Sequence, residues 1–132
     1  MDERELLKIA EESKEKAYAP YSGFRVGAAV LTENGKVFTG VNIENASYGA
    51  TNCAERTAVF KAVSEGEKSI SAIAVTSDSE SFTYPCGICR QVISEFGGKS
   101  TKVICGRRDG GFETYTLEEL LPNAFLRHGN KF

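Results

Sequence analysis

Cys53, Glu55 and Arg56 fall within four consecutive residues, and Cys86 and Cys89 follow about thirty residues later, three apart in the run Pro85-Cys86-Gly87-Ile88-Cys89. Three thiols are soft donors, and such a set selects zinc among the common cellular ions. Three protein ligands leave the fourth tetrahedral position for water, which is the mark of a catalytic ion rather than a structural one. Glu55 is two residues from Cys53 and can exchange protons with that water without occupying the metal. Three thiolates outweigh the charge of one zinc ion. Arg56, one helical turn from Cys53, is therefore expected to sit behind the ligands and offset their charge. A surface ion pair is the plainer reading of Arg56.

A closed structural site would need a fourth ligand, and Cys105 and His128 are the candidates. Cys105 ends the apolar run Val103-Ile104-Cys105 and reads as a small core side chain. His128, the only histidine, lies in a polar tail and reads as solvated or packed. Two disulfides are formally possible, but a chain with a real core in a reducing compartment has little need of them. A Cys-x-x-Cys redox pair would leave Cys53 and Glu55 without a role.

The elements that must carry these residues follow from pattern. Residues 2–17 read as a surface helix with Leu6, Ile9, Ala10, Ser13 and Ala17 on one face. Arg25–Leu31 and Lys36–Val41 read as a hairpin around Thr32-Glu33-Asn34-Gly35, because Asn-Gly tolerates the positive φ of a tight turn. Residues 42–49 are polar and irregular. A second helix is expected from about Cys53 to Ser64, capped by Thr51 or Asn52, with Gly66 beyond its end. Ile70–Thr76 reads as a buried strand, 77–85 as a loop, Cys86–Phe96 as a third helix and Lys102–Cys105 as a short strand. Phe112–Tyr115 suits an edge strand and Leu117–Leu121 a short helix, while 122–132 has no clear pattern. From residue 36 the order strand–helix–strand–helix–strand implies crossovers between neighbouring parallel strands. The fold expected is α/β: a three-layer α/β/α sandwich around a mixed sheet of about five strands, in one domain over 1–132. Both thiol-bearing segments then start helices, where free N–H groups and the helix dipole favour thiolates.

Composition narrows the partners. With 132 residues the chain can bury one sizeable core. A net charge of −2 and a pI near 5.5 give no basic footprint for nucleic acid or anionic lipid. The longest apolar runs, such as Val26–Leu31, are too short to span a bilayer. Met1–Glu5 is charged and unlike a signal peptide, so a cytoplasmic location is the expectation.

The Cys53-Ala54-Glu55 and Pro85-Cys86-Gly87-Ile88-Cys89-Arg90-Gln91 segments match the zinc-deaminase pattern, with Cys in place of His and a glutamate that is not a ligand. With Tyr21-Ser22-Gly23-Phe24-Arg25-Val26-Gly27-Ala28-Ala29 upstream and Gly40-Val41-Asn42-Ile43-Glu44-Asn45-Ala46-Ser47-Tyr48 between, the chain resembles the short, homotetrameric cytidine deaminases over almost its whole length. No site position departs from the pattern. The resemblance implies one zinc per subunit and hydrolysis of free cytidine and deoxycytidine to uridine and deoxyuridine plus ammonia, in pyrimidine salvage. Zinc-bound hydroxide would attack C4 while Glu55 shuttles protons. It implies that Phe24 packs on the pyrimidine, that Asn42 and Glu44 hold the ribose hydroxyls, and that Ala54 offers backbone contacts to the base. Ala46 and Tyr48 would come from one neighbouring subunit and Phe125 from another, so that active sites are shared. Read from the residues alone, Phe24, Tyr48 and Phe125 can equally be core aromatics, Glu44 a solvated charge and Asn42 a turn former. A related deaminase acting on an aminonucleoside antibiotic or another cytosine-containing substrate is the alternative, followed by a non-enzymatic zinc module.

Overall fold

The computed structural model describes residues 1–126. Helix α1 (Glu3–Ser13) opens on a capping box in which Asp2 and Glu5 satisfy each other's backbone N–H groups. It ends four residues earlier than the apolar pattern predicts and tightens into a 3-10 turn, Lys14–Lys16. Ser13 explains the stop: its hydroxyl donates to the Ala10 carbonyl at 2.7 Å and competes with the helix ladder.

Strands β1 (Val26–Thr32) and β2 (Val37–Val41) form the expected hairpin, with Gly35 at φ +83° in the turn. Then come α2 (Ala54–Ser64), β3 (Ile70–Ser77), α3 (Gly87–Phe96), β4 (Lys102–Gly106), β5 (Phe112–Thr116) and the short α4 (Leu117–Leu120). The sheet runs β2-β1-β3-β4-β5. Only β3 and β4 pair in parallel, and the other three pairings are antiparallel.

This order corrects one expectation. β2 and β3 point the same way but are not neighbours, because β1 lies between them and pairs with both. Val26–Leu31 is a continuous apolar run, and Ala28, Ala29 and Val30 are fully buried. Such a strand suits the middle of a sheet covered on both faces, whereas the half-exposed β2 suits an edge.

The layers follow from alternation along the strands. On one face Leu6, Leu7 and Ala10 of α1 pack on Ala29, Ala72, Ala74 and Ile104. On the other, Ala58 and Val59 of α2 and Ile93 of α3 pack on Ala28, Val30, Ile73, Val103 and Cys105. β2 approaches α2 so closely that a Cβ on Gly40 would lie 2.4 Å from both the Ala54 carbonyl oxygen and the Ala58 nitrogen. Among the described residues no helix is long and apolar enough to cross a membrane.

Candidate metal centre

Two helix starts carry the three thiols. Cys53 is itself the N-cap of α2, in extended conformation, where Thr51 or Asn52 was expected. Its approach is held by an antiparallel bridge between Ile43 and Asn52, with N–H to carbonyl distances of 2.9 and 3.0 Å. Asn52 Nδ2 also donates to Thr57 Oγ1 at 3.0 Å, which fixes the cap against the first turn. Cys86 caps α3 in the same way, and its sulfur accepts the Cys89 N–H at 3.4 Å. The Cys86 sulfur thus meets a free N–H of the first turn, whereas the Cys53 sulfur accepts none and takes a hydrogen bond from Arg56.

The three sulfurs lie within 4.8 Å of one another, and Cys53 Sγ is 3.8 Å from Cys86 Sγ. A tetrahedral ion with zinc–sulfur bonds of about 2.3 Å requires sulfurs about 3.8 Å apart, so donor type and spacing both fit zinc. Cys53 is half-buried, Cys86 exposed and Cys89 buried, so the cluster has one side open to solvent. Cys105 is not part of it. It is fully buried in the apolar core under α3, where burial pushes its thiol up to about 12. The other candidate fourth ligand, His128, lies outside the described residues.

The charges around the cluster are organised. Considering the protein groups alone, the Cys53 thiol is lowered to about 5, first because it accepts a hydrogen bond from Cys89 and then through Arg56. The Cys89 thiol is correspondingly raised. Arg56 Nη2 donates to Cys53 Sγ at 3.3 Å, the position that charge counting assigns to it. Glu55 is only 5% exposed, and burial, reinforced by the Cys53 charge, raises its carboxyl to about 7. A carboxyl tuned to that range can take up and release protons near neutral pH. Ala54 between them is fully buried against the core beneath β1 and β2.

The loop before β1 is bracketed by the segment after β2, which the Ile43–Asn52 bridge ties to the residue preceding Cys53. Asn42 Oδ1 accepts the Val26 N–H at 2.9 Å, and its Nδ2 donates to the Phe24 carbonyl at 2.7 Å. The Glu44 carboxylate accepts the Tyr21 and Ser22 N–H groups at 2.9 and 3.1 Å and the Ser22 hydroxyl. The hydrogen bond from Ser22 holds Glu44 below the usual carboxylate range. The Ser22 hydroxyl oxygen in turn accepts the Phe24 N–H at 3.0 Å. Glu44 also borders a cleft of about 240 Å³ with Tyr21, Asn45, Tyr48 and Thr51. A larger hollow of about 660 Å³ lies at the N-terminal ends of β3 and β4, beside Asp2 and Arg4, and holds none of the thiols.

Residues 1–106 match the family described as the cytidine and deoxycytidylate deaminase zinc-binding region. The chain is 54% identical over 95% of its length to a cytidine deaminase of Halalkalibacterium halodurans, covering 95% of that protein. It is 50% identical over 96% of its length to a cytidine deaminase of Sporosarcina psychrophila, covering 93% of it. The chain belongs to the cytidine and deoxycytidylate deaminase family. The crystal structure of a cytidine deaminase from Burkholderia pseudomallei superposes on this family member with a TM-score of 0.90 at 46% identity, covering 95% of this chain and all of that one.

The deaminase fold thus brings Cys53, Glu55, Arg56, Cys86 and Cys89 to one place. Asn42 and Glu44 organise the loop that carries Phe24. Ala46 is exposed, and Phe24, Tyr48 and Phe125 present 43%, 74% and 69% of their surface, so none of the three is a core aromatic of this chain. Tyr48 stacks edge-on against Tyr21 with ring centroids 5.9 Å apart.

Further contacts hold the segment that carries Cys86 and Cys89, and the sequence reading assigned no role to the residues that make them. Arg90 donates to the Pro85 and Leu120 carbonyls, both at 2.8 Å, and Gln91 donates to the Phe125 carbonyl at 2.7 Å. Tyr84, just before Pro85, donates to Glu113 at 2.9 Å. Arg90 and Gln91 close the motif that carries Cys86 and Cys89, and that was the available signal. Tyr84 and Glu113 have no local pattern that marks them.

Proposed function

We propose that this chain is a cytidine deaminase, converting free cytidine and deoxycytidine to uridine and deoxyuridine with release of ammonia. The observation that carries this reading is the nearly buried carboxyl of Glu55, raised by burial to about 7 and set two residues past Cys53 of the thiol cluster. That placement occurs in a chain 54% identical to a cytidine deaminase. Cys53, Cys86 and Cys89 are assigned as the zinc ligands. Bound there, zinc would supply Lewis-acid activation of a water molecule.

Glu55 takes a proton from the attacking water and delivers it to N3 of the ring, which makes C4 electrophilic. The water oxygen bonds to C4, and a tetrahedral centre forms. Glu55 passes the second proton to the exocyclic amine, the C4–N bond breaks, and ammonia leaves. Arg56 tempers the negative charge of the thiolates from behind. Phe24 packs on the pyrimidine, the Ala54 backbone meets the base, and Asn42 and Glu44 face the ribose. The protein-side bonds of Asn42 and Glu44 pre-organise them for that role, since a carboxylate has four lone-pair directions and an amide nitrogen two hydrogens.

Ala46, Tyr48 and Phe125 are assigned to the sites of neighbouring subunits in a homotetramer, in keeping with the exposure of both aromatic rings. The reading extends to a cytoplasmic enzyme of pyrimidine salvage, with no nucleic-acid or membrane partner, in keeping with a pI near 5.5. The test is incubation with cytidine, deoxycytidine, adenosine and CMP, following cytosine absorbance and ammonia. Turnover of the two cytosine nucleosides is expected; turnover of neither would sink the proposal.

A further inference from the structure

Asp78 is a charged side chain that the deamination chemistry does not use. It follows the last residue of β3 and is gripped from two sides. Arg25 reaches it with a fork, Nε to Oδ2 at 3.0 Å and Nη2 to Oδ1 at 3.3 Å. Lys14 Nζ lies 3.1 Å from Oδ1, with its side chain only 10% exposed. The remaining arm of Arg25 reaches Glu15 at 3.2 Å. An ammonium withdrawn this far from water requires a carboxylate beside it. A two-pronged guanidinium adds direction to the attraction.

The place of this cluster matters more than its charge. Arg25 lies between Phe24 and Val26, the two residues whose backbones Asn42 brackets. Asn42 follows β2 and Asp78 follows β3, and β1 lies between those strands. The entry to β1 is therefore clamped from both neighbours, by an amide on one side and a carboxylate on the other. Beyond Asp78 the chain runs to Pro85 and Cys86 through a loop tied to itself and to β4. Ser77 Oγ meets Thr83 Oγ1 at 2.6 Å, the Ser79 N–H reaches Ser77 Oγ at 3.1 Å, and the Thr83 N–H reaches the Gly106 carbonyl at 2.8 Å. One carboxylate thus joins the loop bearing Phe24 to the segment that leads to a thiol of the metal centre.

We propose that Asp78, acting through Arg25, is a positioning residue for substrate binding that sets the Phe24 loop against the segment leading to Cys86. The inference rests on the reading of Phe24 as the ring that packs on the pyrimidine. Loss of the clasp displaces the stacking partner of the base while leaving Glu55 and the thiols in place. It therefore weakens binding of substrate and transition state alike, which raises KM and spares kcat.

The experiment compares the parent enzyme with Asp78→Asn and Arg25→Lys, the second keeping the ion pair but losing the fork. In both variants KM for cytidine is expected to rise on the order of 10-fold, with kcat within about twofold and zinc content unchanged. Hydrogen exchange is expected to quicken together in peptides covering 21–26 and 79–86. In the double variant Arg25→Ala/Asp78→Ala, KM is expected to be no higher than in the worse single variant. Unchanged KM per zinc-bearing site, or exchange that quickens in only one of the two peptides, overturns the proposal. A parent enzyme that deaminates no cytosine nucleoside counts against the proposed function instead, and the exchange pattern then decides the clasp by itself.

Discussion

Arg56 Nη2 stands 3.3 Å from the sulfur of Cys53, three residues before it on the first turn of α2. The helix geometry makes this contact possible, since residues three apart share a face. The contact places a permanent positive charge on a cluster that becomes strongly negative once its thiols ionise. Arg56→Gln keeps a donor but removes the charge. It is expected to weaken zinc binding by about 10–100-fold, measured by competition with a chelator. Unaltered affinity would return Arg56 to the status of an ordinary ion-pairing residue.

Glu55 is expected to matter for turnover and not for metal retention. One proton-transfer role is worth roughly 10²–10⁴ in rate, and two successive roles place Glu55→Ala at or beyond the upper end, about 10⁴ in kcat. Metal analysis of the same variant should show zinc unchanged. A variant that loses zinc but keeps turnover would reverse the assignment.

Gly40 is where the edge strand meets the catalytic helix. A methyl group there would stand 2.4 Å from two backbone atoms, the Ala54 oxygen and the Ala58 nitrogen, and neither can swing aside. Gly40→Ala is expected to cost about 1–3 kcal/mol in a urea titration, typical of overpacking. Because Cys53 caps the helix that must shift, zinc retention should fall as well. Gly49→Ala is the control: its Cβ would meet nothing within 4 Å.

Asp78 makes stability depend on pH in a defined direction. Its hydrogen bonds from Arg25, and then Lys14, hold its carboxyl below the ordinary aspartate range. A carboxylate with a depressed folded pKa stabilises the fold at every pH above its unfolded value. That contribution is lost as pH falls through the folded pKa. The gap in urea midpoint between the parent and Asp78→Asn should therefore be full at neutral pH and close below about pH 4. A gap that is constant down to the acid limit would show that the charge is not what Asp78 contributes.

The helix and strand segments were largely legible because each has a local signature. The apolar face of Leu6, Ile9 and Ala10, the Asn34-Gly35 turn and the buried run Ile70–Thr76 all act over a few residues. The end of α1 was misread because the apolar face continues past Ser13, while the hydroxyl of Ser13 ends the ladder there. The cap of α2 was misread because cysteine is not a preferred cap by propensity, and its presence there reflects the metal centre rather than helix stability.

By itself the sequence determined the chemistry of the centre: three soft donors at helix starts, a carboxyl two residues from one of them, and a guanidinium one turn on. Those relations are short-range, so spacing along the chain is enough to express them. Tertiary structure alone decided which strand occupies the middle of the sheet, because β1 could pair with β2 through the hairpin and with β3 only through a long-range choice of partner. That choice places Asp78 beside Arg25, 53 residues away, and Asn42 beside Phe24, 18 residues away. No periodicity encodes such contacts, since they arise from where strand ends meet once the sheet has closed. The centre can be read from Cys53, Glu55, Cys86 and Cys89 in order, but the bracing of the Phe24 loop by Asn42 on one side and Asp78 on the other exists only because β1 lies between β2 and β3.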